Sequence, residues 1–284
     1  MATTLSKGKN KTNGVDTNED IKPWIRRFGR FGHMAKGTVY ALVGLLSLMA
    51  AVGVGGKTTG TGGMFQSLAS IPFGEILLWI IGIGLIGYIS WLVIKSIKDT
   101  SRKGSDSKGL FIRFCYLIGG VIYGALAVNA IQIAMHAGSG GGNSEESISA
   151  QLLSQPFGAW LVGLLGAIII GYGVSEFYSG ITKRFMKKFN ISEMDDHERK
   201  IAKNSGKMGL ISRGIVLGTV GFFFIQTAFS SNPDEAKGLD GALAEISQQP
   251  FGQWMLGIVA VGLILYGIYE VIRGRYEKMS FGKQ

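Results

Sequence analysis

Charge is scarce in this chain. Only 17% of its 284 residues are Asp, Glu, Lys or Arg, against about 25% in soluble domains. Proline is limited to five residues and cysteine to one. The lone thiol, Cys115, excludes an intramolecular disulfide. The three histidines, His33, His136 and His197, fall at a helix start, a helix end and a polar loop, so they cannot form a three-histidine metal site. No nucleophile–base–acid set stands at a recognisable spacing. The glycine-rich stretch Gly138–Gly142 lacks the Lys-Ser/Thr ending of a phosphate loop. The sequence therefore gives no reason to expect a catalytic residue, a cofactor or a metal. It also displays no polar cluster of the kind an enzyme acting on lipid would need.

What is abundant is glycine, at 44 residues, and apolar sequence in blocks. Six segments lack any Asp, Glu, Lys or Arg: Gly37–Gly56, Ile76–Ile94, Phe114–Met135, Phe157–Ser175, Gly214–Pro233 and Phe251–Tyr269. Each is long enough for a helix to cross a hydrocarbon core, which takes about 20 residues. None shows the continuous polar face of a helix in a soluble bundle. The net charge of +10 would suggest nucleic acid in a soluble protein. Its placement argues otherwise. The loops after the first and fifth segments hold one base each, Lys57 and Lys237, and the loop after the third holds none. The other bases lie in the termini, the remaining loops or the helix ends beside them. This positive-inside pattern places both termini in the cytoplasm and implies a multi-pass topology. Residues 1–23 read as a disordered cytoplasmic tail, and the first helix as an uncleaved signal-anchor.

A tripeptide recurs three times, as Pro72-Phe73-Gly74, Pro156-Phe157-Gly158 and Pro250-Phe251-Gly252. Recurrence at such spacing marks an internal repeat. The expected domains are module 1 at 24–100, module 2 at 109–184, a cytoplasmic linker with a short helix at 185–205, and module 3 at 206–278. Each module carries two spanning helices. All three modules therefore share one orientation, and the expected fold is an all-α integral membrane bundle of six helices, pseudo-threefold about the membrane normal. Before each proline, apolar residues spaced three and four apart suggest a short amphipathic helix at the outer interface. Proline would then open the return helix, with the phenylalanine anchored in the interfacial aromatic belt. Small residues recur in register on the first helix of each module: Gly37 with Ala41, Gly120 with Gly124, and Gly214 with Gly218. Pairs spaced this way let a neighbouring backbone approach, so helix packing is their expected role.

Two further positions travel with the repeat. Tyr88, Tyr172 and Tyr266 each lie 16 residues after the proline, and Glu176 and Glu270 lie 20 after it, where module 1 has Leu92. By helix rise these fall in the inner half of the membrane. The tyrosines either bond to backbone carbonyls or line an axial constriction; the glutamates either snorkel or pair at the interface, Glu270 with Arg273 at i, i+3, or form a proton or cation site. The basic residue before the repeated glycine recurs only as Lys36 and Arg213; module 2 has Gly119. In the linker, Ser192 is expected to cap a helix whose acids precede its bases. The run from Lys183 to Phe189, which mixes bases with apolar residues, is expected to lie on an anionic inner leaflet.

The stretch Gly29 to Tyr40, with Pro72-Phe73-Gly74 and Gly87-Tyr88, resembles the module of a bacterial membrane family known as domain of unknown function 1206. Ile191-Ser192-Glu193-Met194, then the basic run and Gly206-x2-Gly209, resembles the segment before that family's third module. The resemblance covers residues 24–278 and implies three tandem helix pairs; it implies no activity. The expectation is a non-enzymatic membrane protein, a scaffold or subunit of a larger assembly, with the bilayer, anionic lipid and a membrane-protein partner as its contacts and no nucleic acid. The alternative is a channel or transporter for a small solute along the threefold axis, gated by the repeated tyrosines and glutamates.

Overall fold

The computed structural model describes residues 23–54, 61–97, 107–135, 150–155, 157–232, 235 and 237–277. The N-terminal tail and Pro156 lie outside the described residues. Eight helices carry the fold: α1 (Pro23–Ala51), α2 (Thr61–Ala69), α3 (Gly74–Ile97), α4 (Ser107–Ala134), α5 (Gly158–Thr182), α6 (Asp196–Ser230), α7 (Leu239–Gln248) and α8 (Gly252–Tyr276). Residues 150–153 form one further helical turn. Six of the helices (α1, α3, α4, α5, α6 and α8) are long and apolar enough to cross a membrane. They pair as α1 with α3, α4 with α5, and α6 with α8 in the three modules.

Neighbours in the bundle follow chain order around a ring. α1 packs on α3, α3 on α4, α5 on α6, α6 on α8, and α8 back on α1. The tightest seams lie between modules, where glycine brings backbones together. A Cβ on Gly37 would stand 2.6 Å from the Gly267 carbonyl oxygen, and one on Gly214 would stand 2.7 Å from that of Gly173. Dispersion contacts of this kind, more than apolar burial, hold helices together in a lipid-like setting. One joint is missing. α4 and α5, the two helices of module 2, make at most marginal contact among the described residues, and their apolar stretches are the least buried of the six.

Each return helix begins at the glycine of Pro-Phe-Gly, not at the proline. Phe73, Phe157 and Phe251 adopt left-handed backbone, with φ of 62°, 63° and 61°. The glycine N–H closes the turn, donating to Ile71 (3.0 Å), Gln155 (2.9 Å) and Gln249 (2.7 Å). The glycine is required by a close approach: a Cβ on Gly74, Gly158 or Gly252 would overlap a carbonyl oxygen of the preceding short segment, that of Leu68, Leu152 or Ser247. Left-handed backbone is costly for a bulky residue. The three phenylalanine side chains are nonetheless largely exposed, as are Trp160 and Trp254. At the same end, α2 and α7 plug the bundle, burying Met64, Phe65, Leu68, Leu243 and Ile246. These residues belong to one continuous core fed by all six long helices, including Val43, Leu85, Ala130, Val162, Val220 and Leu263.

The linker differs from the expected short helix. Asp195, not Ser192, caps it, through a capping box with Glu198, in which each side chain bonds the other residue's backbone N–H. The helix then runs unbroken for 35 residues to Ser230. Gly206 and Gly209 do not interrupt it, because they admit Phe185 and Tyr266 against the helix surface. In the run from Lys183, Phe185 and Phe189 turn into the protein. Both are buried against Tyr269, and Asn190 N–H donates to the Tyr276 carbonyl at 2.8 Å.

Candidate functional site

The repeated charges meet across module boundaries at the end of the bundle opposite the Pro-Phe-Gly turns. Lys36 Nζ lies 3.4 Å from Glu270 Oε1, joining module 1 to module 3. The Arg213 guanidinium is ion-paired with Glu176, joining module 3 to module 2. The corresponding place between modules 2 and 1 falls on Gly119 and Leu92. Both charges are missing there, and a Cβ on Gly119 would stand 3.5 Å from Leu92 Cδ1.

Around these pairs lies a buried cluster. Glu270 accepts from the Tyr266 hydroxyl at 2.9 Å and from Arg273 Nη1 at 3.1 Å. Its other oxygen is 2.7 Å from His33 Nδ1. The second ring nitrogen of His33 is 2.7 Å from Glu277 Oε2, though outside hydrogen-bond geometry. Glu277 also binds Lys95 at 3.0 Å and Arg273 at 2.8 Å. His33 thus stands between two carboxylates. Burial opposes a charge on Glu277, but Arg273, Lys95 and His33 outweigh it and hold its carboxyl well below the usual carboxylate range. Charges removed from water persist only when paired and hydrogen-bonded, and here each carboxylate has a cation beside it.

The tyrosines line the two central cations. Lys36 Nζ sits 4.9 to 5.4 Å from the ring centres of Tyr88, Tyr123 and Tyr266. Arg213 sits 4.9 to 5.5 Å from those of Tyr40, Tyr172 and Tyr266. Such contacts strengthen as the cation is desolvated. Lys36 also donates to the Tyr88 hydroxyl at 3.2 Å, and Arg213 to that of Tyr123 at 3.4 Å.

Of the positions singled out in the sequence, Tyr88, Tyr266, Glu176 and Glu270 all enter this cluster. The hydroxyls of Tyr88 and Tyr266 bond charged side chains, not backbone carbonyls, and Lys36 and Arg213 fill the space between the tyrosines. Tyr172 differs, being 48% exposed. The two glutamates pair and do not snorkel: both are buried, Glu270 with Arg273 three residues on, as its spacing suggests, and Glu176 with Arg213. Among the small residues, Gly37 and Ala41 pack on Gly267, and Gly214 on Gly173. Gly218 lies beside Gly173, yet its own Cβ direction is open. Gly120 has only Ile89 at 3.9 Å, and Gly124 has nothing within 4 Å. Close helix packing therefore does not account for Gly120 and Gly124, which lie on the loosely packed α4.

Sequence reasoning does not assemble Lys36, Arg213, His33, Tyr40, Tyr123, Lys95 and Glu277 into this site, and it finds no polar cluster at all. The recurrence of Lys36 and Arg213, set against the recurrence of Glu176 and Glu270, was the available signal. His33 carried none, since its counterparts are Tyr116 and Leu210. Chemically the arrangement can hold charge away from water, with the carboxylates and cations of three modules neutralising one another.

Three segments, residues 31–99, 114–183 and 208–277, match the family described as Domain of Unknown Function (DUF1206). The chain belongs to that family. The triple match coincides with the three modules. A relative from Bacillus subtilis (strain 168), an uncharacterized protein called YxxB, is 43% identical over 265 residues, covering 93% of this chain and 96% of its own length. No solved structure matches.

Proposed function

We propose that this DUF1206 chain is a non-enzymatic, multi-pass protein of the bacterial cytoplasmic membrane that serves as a scaffold or subunit of a larger membrane assembly. One observation carries the reading: buried apolar side chains from all six long helices form one core, while two apolar helices, α4 and α5, make at most marginal contact with each other among the described residues. Exposed apolar helix surface of this size calls for lipid or a partner helix. The cyclic pairing of Lys36 with Glu270, Arg213 with Glu176 and Gly119 with Leu92 supports approximate threefold symmetry about the membrane normal. Exposed tryptophans at one end and bases at the other support insertion with both termini cytoplasmic.

Anionic lipid is the proposed contact of the basic end. Lys183, Arg184, Lys187 and Lys188 remain exposed although Phe185 and Phe189 beside them are buried. Beside them is a groove of about 390 Å³ lined by Met186, Ile191, Arg199, Lys200 and Lys203, with one acid, Asp196. The alternative, a solute path along the bundle centre, requires an open interior. Side chains from all six long helices occupy that space, and Tyr266, Glu270 and Lys36 are engaged with one another.

The test is extraction of the full chain from native membranes in several mild detergents, with cross-linking from positions on α4 and α5. Membrane proteins that copurify and cross-link to these helices are the expected result. A partner-free monomer under every condition would overturn the scaffold reading. Solute flux into vesicles above that of empty vesicles would favour the transport alternative.

A further inference from the structure

The unpacked joint of module 2 has a charged floor. Arg213, on α6, reaches both sides of it from within the bundle: it pairs with Glu176 and lies over the Tyr172 ring on α5, and it donates to Tyr123 on α4. The neighbours of these tyrosines in sequence, Gly124 and Gly171, both have open space where a Cβ would stand. Tyr172 is half exposed. The guanidinium thus contacts both helices that border the seam.

That guanidinium is incompletely satisfied. Arg213 is 4% exposed, yet its Nε has no hydrogen-bond partner, and the second carboxylate oxygen of Glu176 has none either. An orphaned donor in a desolvated place carries a large penalty. The buried cluster also has a surplus of positive charge. Lys36, Lys95, Arg213 and Arg273 face the three carboxylates Glu176, Glu270 and Glu277. A single monovalent anion would correct both defects. A phosphate diester suits the flat donor edge of arginine, and a hydroxyl on its headgroup could donate to the free oxygen of Glu176.

We propose that the seam between α4 and α5 is a lateral binding site for an anionic phospholipid. The phosphate meets Arg213, and the acyl chains lie along the seam past Gly124 and Gly171. The apolar walls select a lipid over a free anion. The proposal rests on membrane insertion, and it names an occupant for the surface that the scaffold reading leaves uncovered.

The test uses the full chain reconstituted with equal phosphatidylglycerol and phosphatidylcholine, and reads retained lipid by native mass spectrometry. The wild-type chain is expected to retain the anionic lipid about tenfold over the zwitterionic one, as one good charge-assisted contact would give. Two variants should bring the ratio near parity. Arg213→Gln with Glu176→Gln removes the charge while keeping a polar pair. Gly124→Leu fills the seam and alters no charged group. Helicity and melting report whether each variant folds. Equal retention of both lipids by the wild type would overturn the proposal, as would an undiminished preference in folded variants. So would complete displacement of the lipid by millimolar inorganic phosphate, which would assign the site to a free anion. Failure of insertion is read separately: a chain released by alkaline extraction contradicts the membrane reading itself, whereas an inserted chain without lipid preference contradicts only this inference.

Discussion

Gly119 and Leu92 face each other at the place where the other two module boundaries each have an ion pair. The charge is absent from both partners together, so no unpaired ion is left behind. Restoring it is a direct test of the cyclic pairing. Leu92→Glu or Gly119→Lys alone should destabilise the protein by about 3–5 kcal/mol, the cost of a buried unpaired charge. The double variant should recover part of that loss, with a coupling of about 1 kcal/mol or more. Thermal unfolding of the four proteins in one detergent provides the cycle. Strict additivity would show that the two positions do not pair.

Glu270 is the most heavily partnered carboxylate of the cluster. Glu270→Gln leaves Lys36 and Arg273 without their shared counter-charge, and His33 without one of its carboxylates. The expected cost is again about 3–5 kcal/mol, seen as a lower melting temperature. Glu245→Gln, which touches an exposed ion pair with Lys237 and an exposed hydrogen bond from Gln249, should change stability by less than about 1 kcal/mol.

The three turn glycines should be intolerant of any side chain. Gly74→Ala, Gly158→Ala and Gly252→Ala each force a methyl group into a carbonyl oxygen, so the short segment must move away from the return helix. Losses of about 1–3 kcal/mol are expected, in the range of overpacked sites. Gly124→Ala meets nothing and should stay within about 0.5 kcal/mol of wild type. Melting curves that failed to separate the two groups would contradict the account of the turn.

Acid should loosen the basic end through Glu277. A carboxyl more acidic when folded than unfolded stabilises the fold above the unfolded pKa, about 4.3 for glutamate. That contribution disappears as the pH falls through the lower folded value. Because Glu277 is held well below the usual range, melting temperature should drop as the pH is lowered below about 4.3. Glu277→Gln should be less stable at neutral pH and should show a shallower acid loss. Parallel pH profiles for the two proteins would exclude Glu277 as a contributor.

Much of the architecture was legible because membrane-length apolar blocks and a repeated tripeptide are strong signals. The number and order of long helices needed only the six uncharged segments. The start of the return helices was not legible, because proline favours the first helical turn in general. Left-handed Phe73, Phe157 and Phe251 break a steric preference that no sequence pattern encodes. The site was half legible. Glu176 and Glu270 stood out by recurring, and so did Lys36 and Arg213, but pairing the rows requires knowing which modules adjoin. His33 and Glu277 come together only through folding, since 244 positions of chain separate them. The seam in module 2 was not legible, because Gly120 and Gly124 show the same small-residue spacing as the tightly packed pairs.

The unbroken course of α6 has a mechanical consequence. Its exposed basic turns and its buried arginine belong to one rod, and Arg199 lies about 20 Å along it from Arg213 at the usual rise per residue. Tyr276 tethers the near end through Glu198 at 2.6 Å. A ligand that tilted the outer turns would therefore work as a lever on the guanidinium at the floor of the seam, with the fulcrum where Phe185 and Tyr269 meet the surface opened by Gly206.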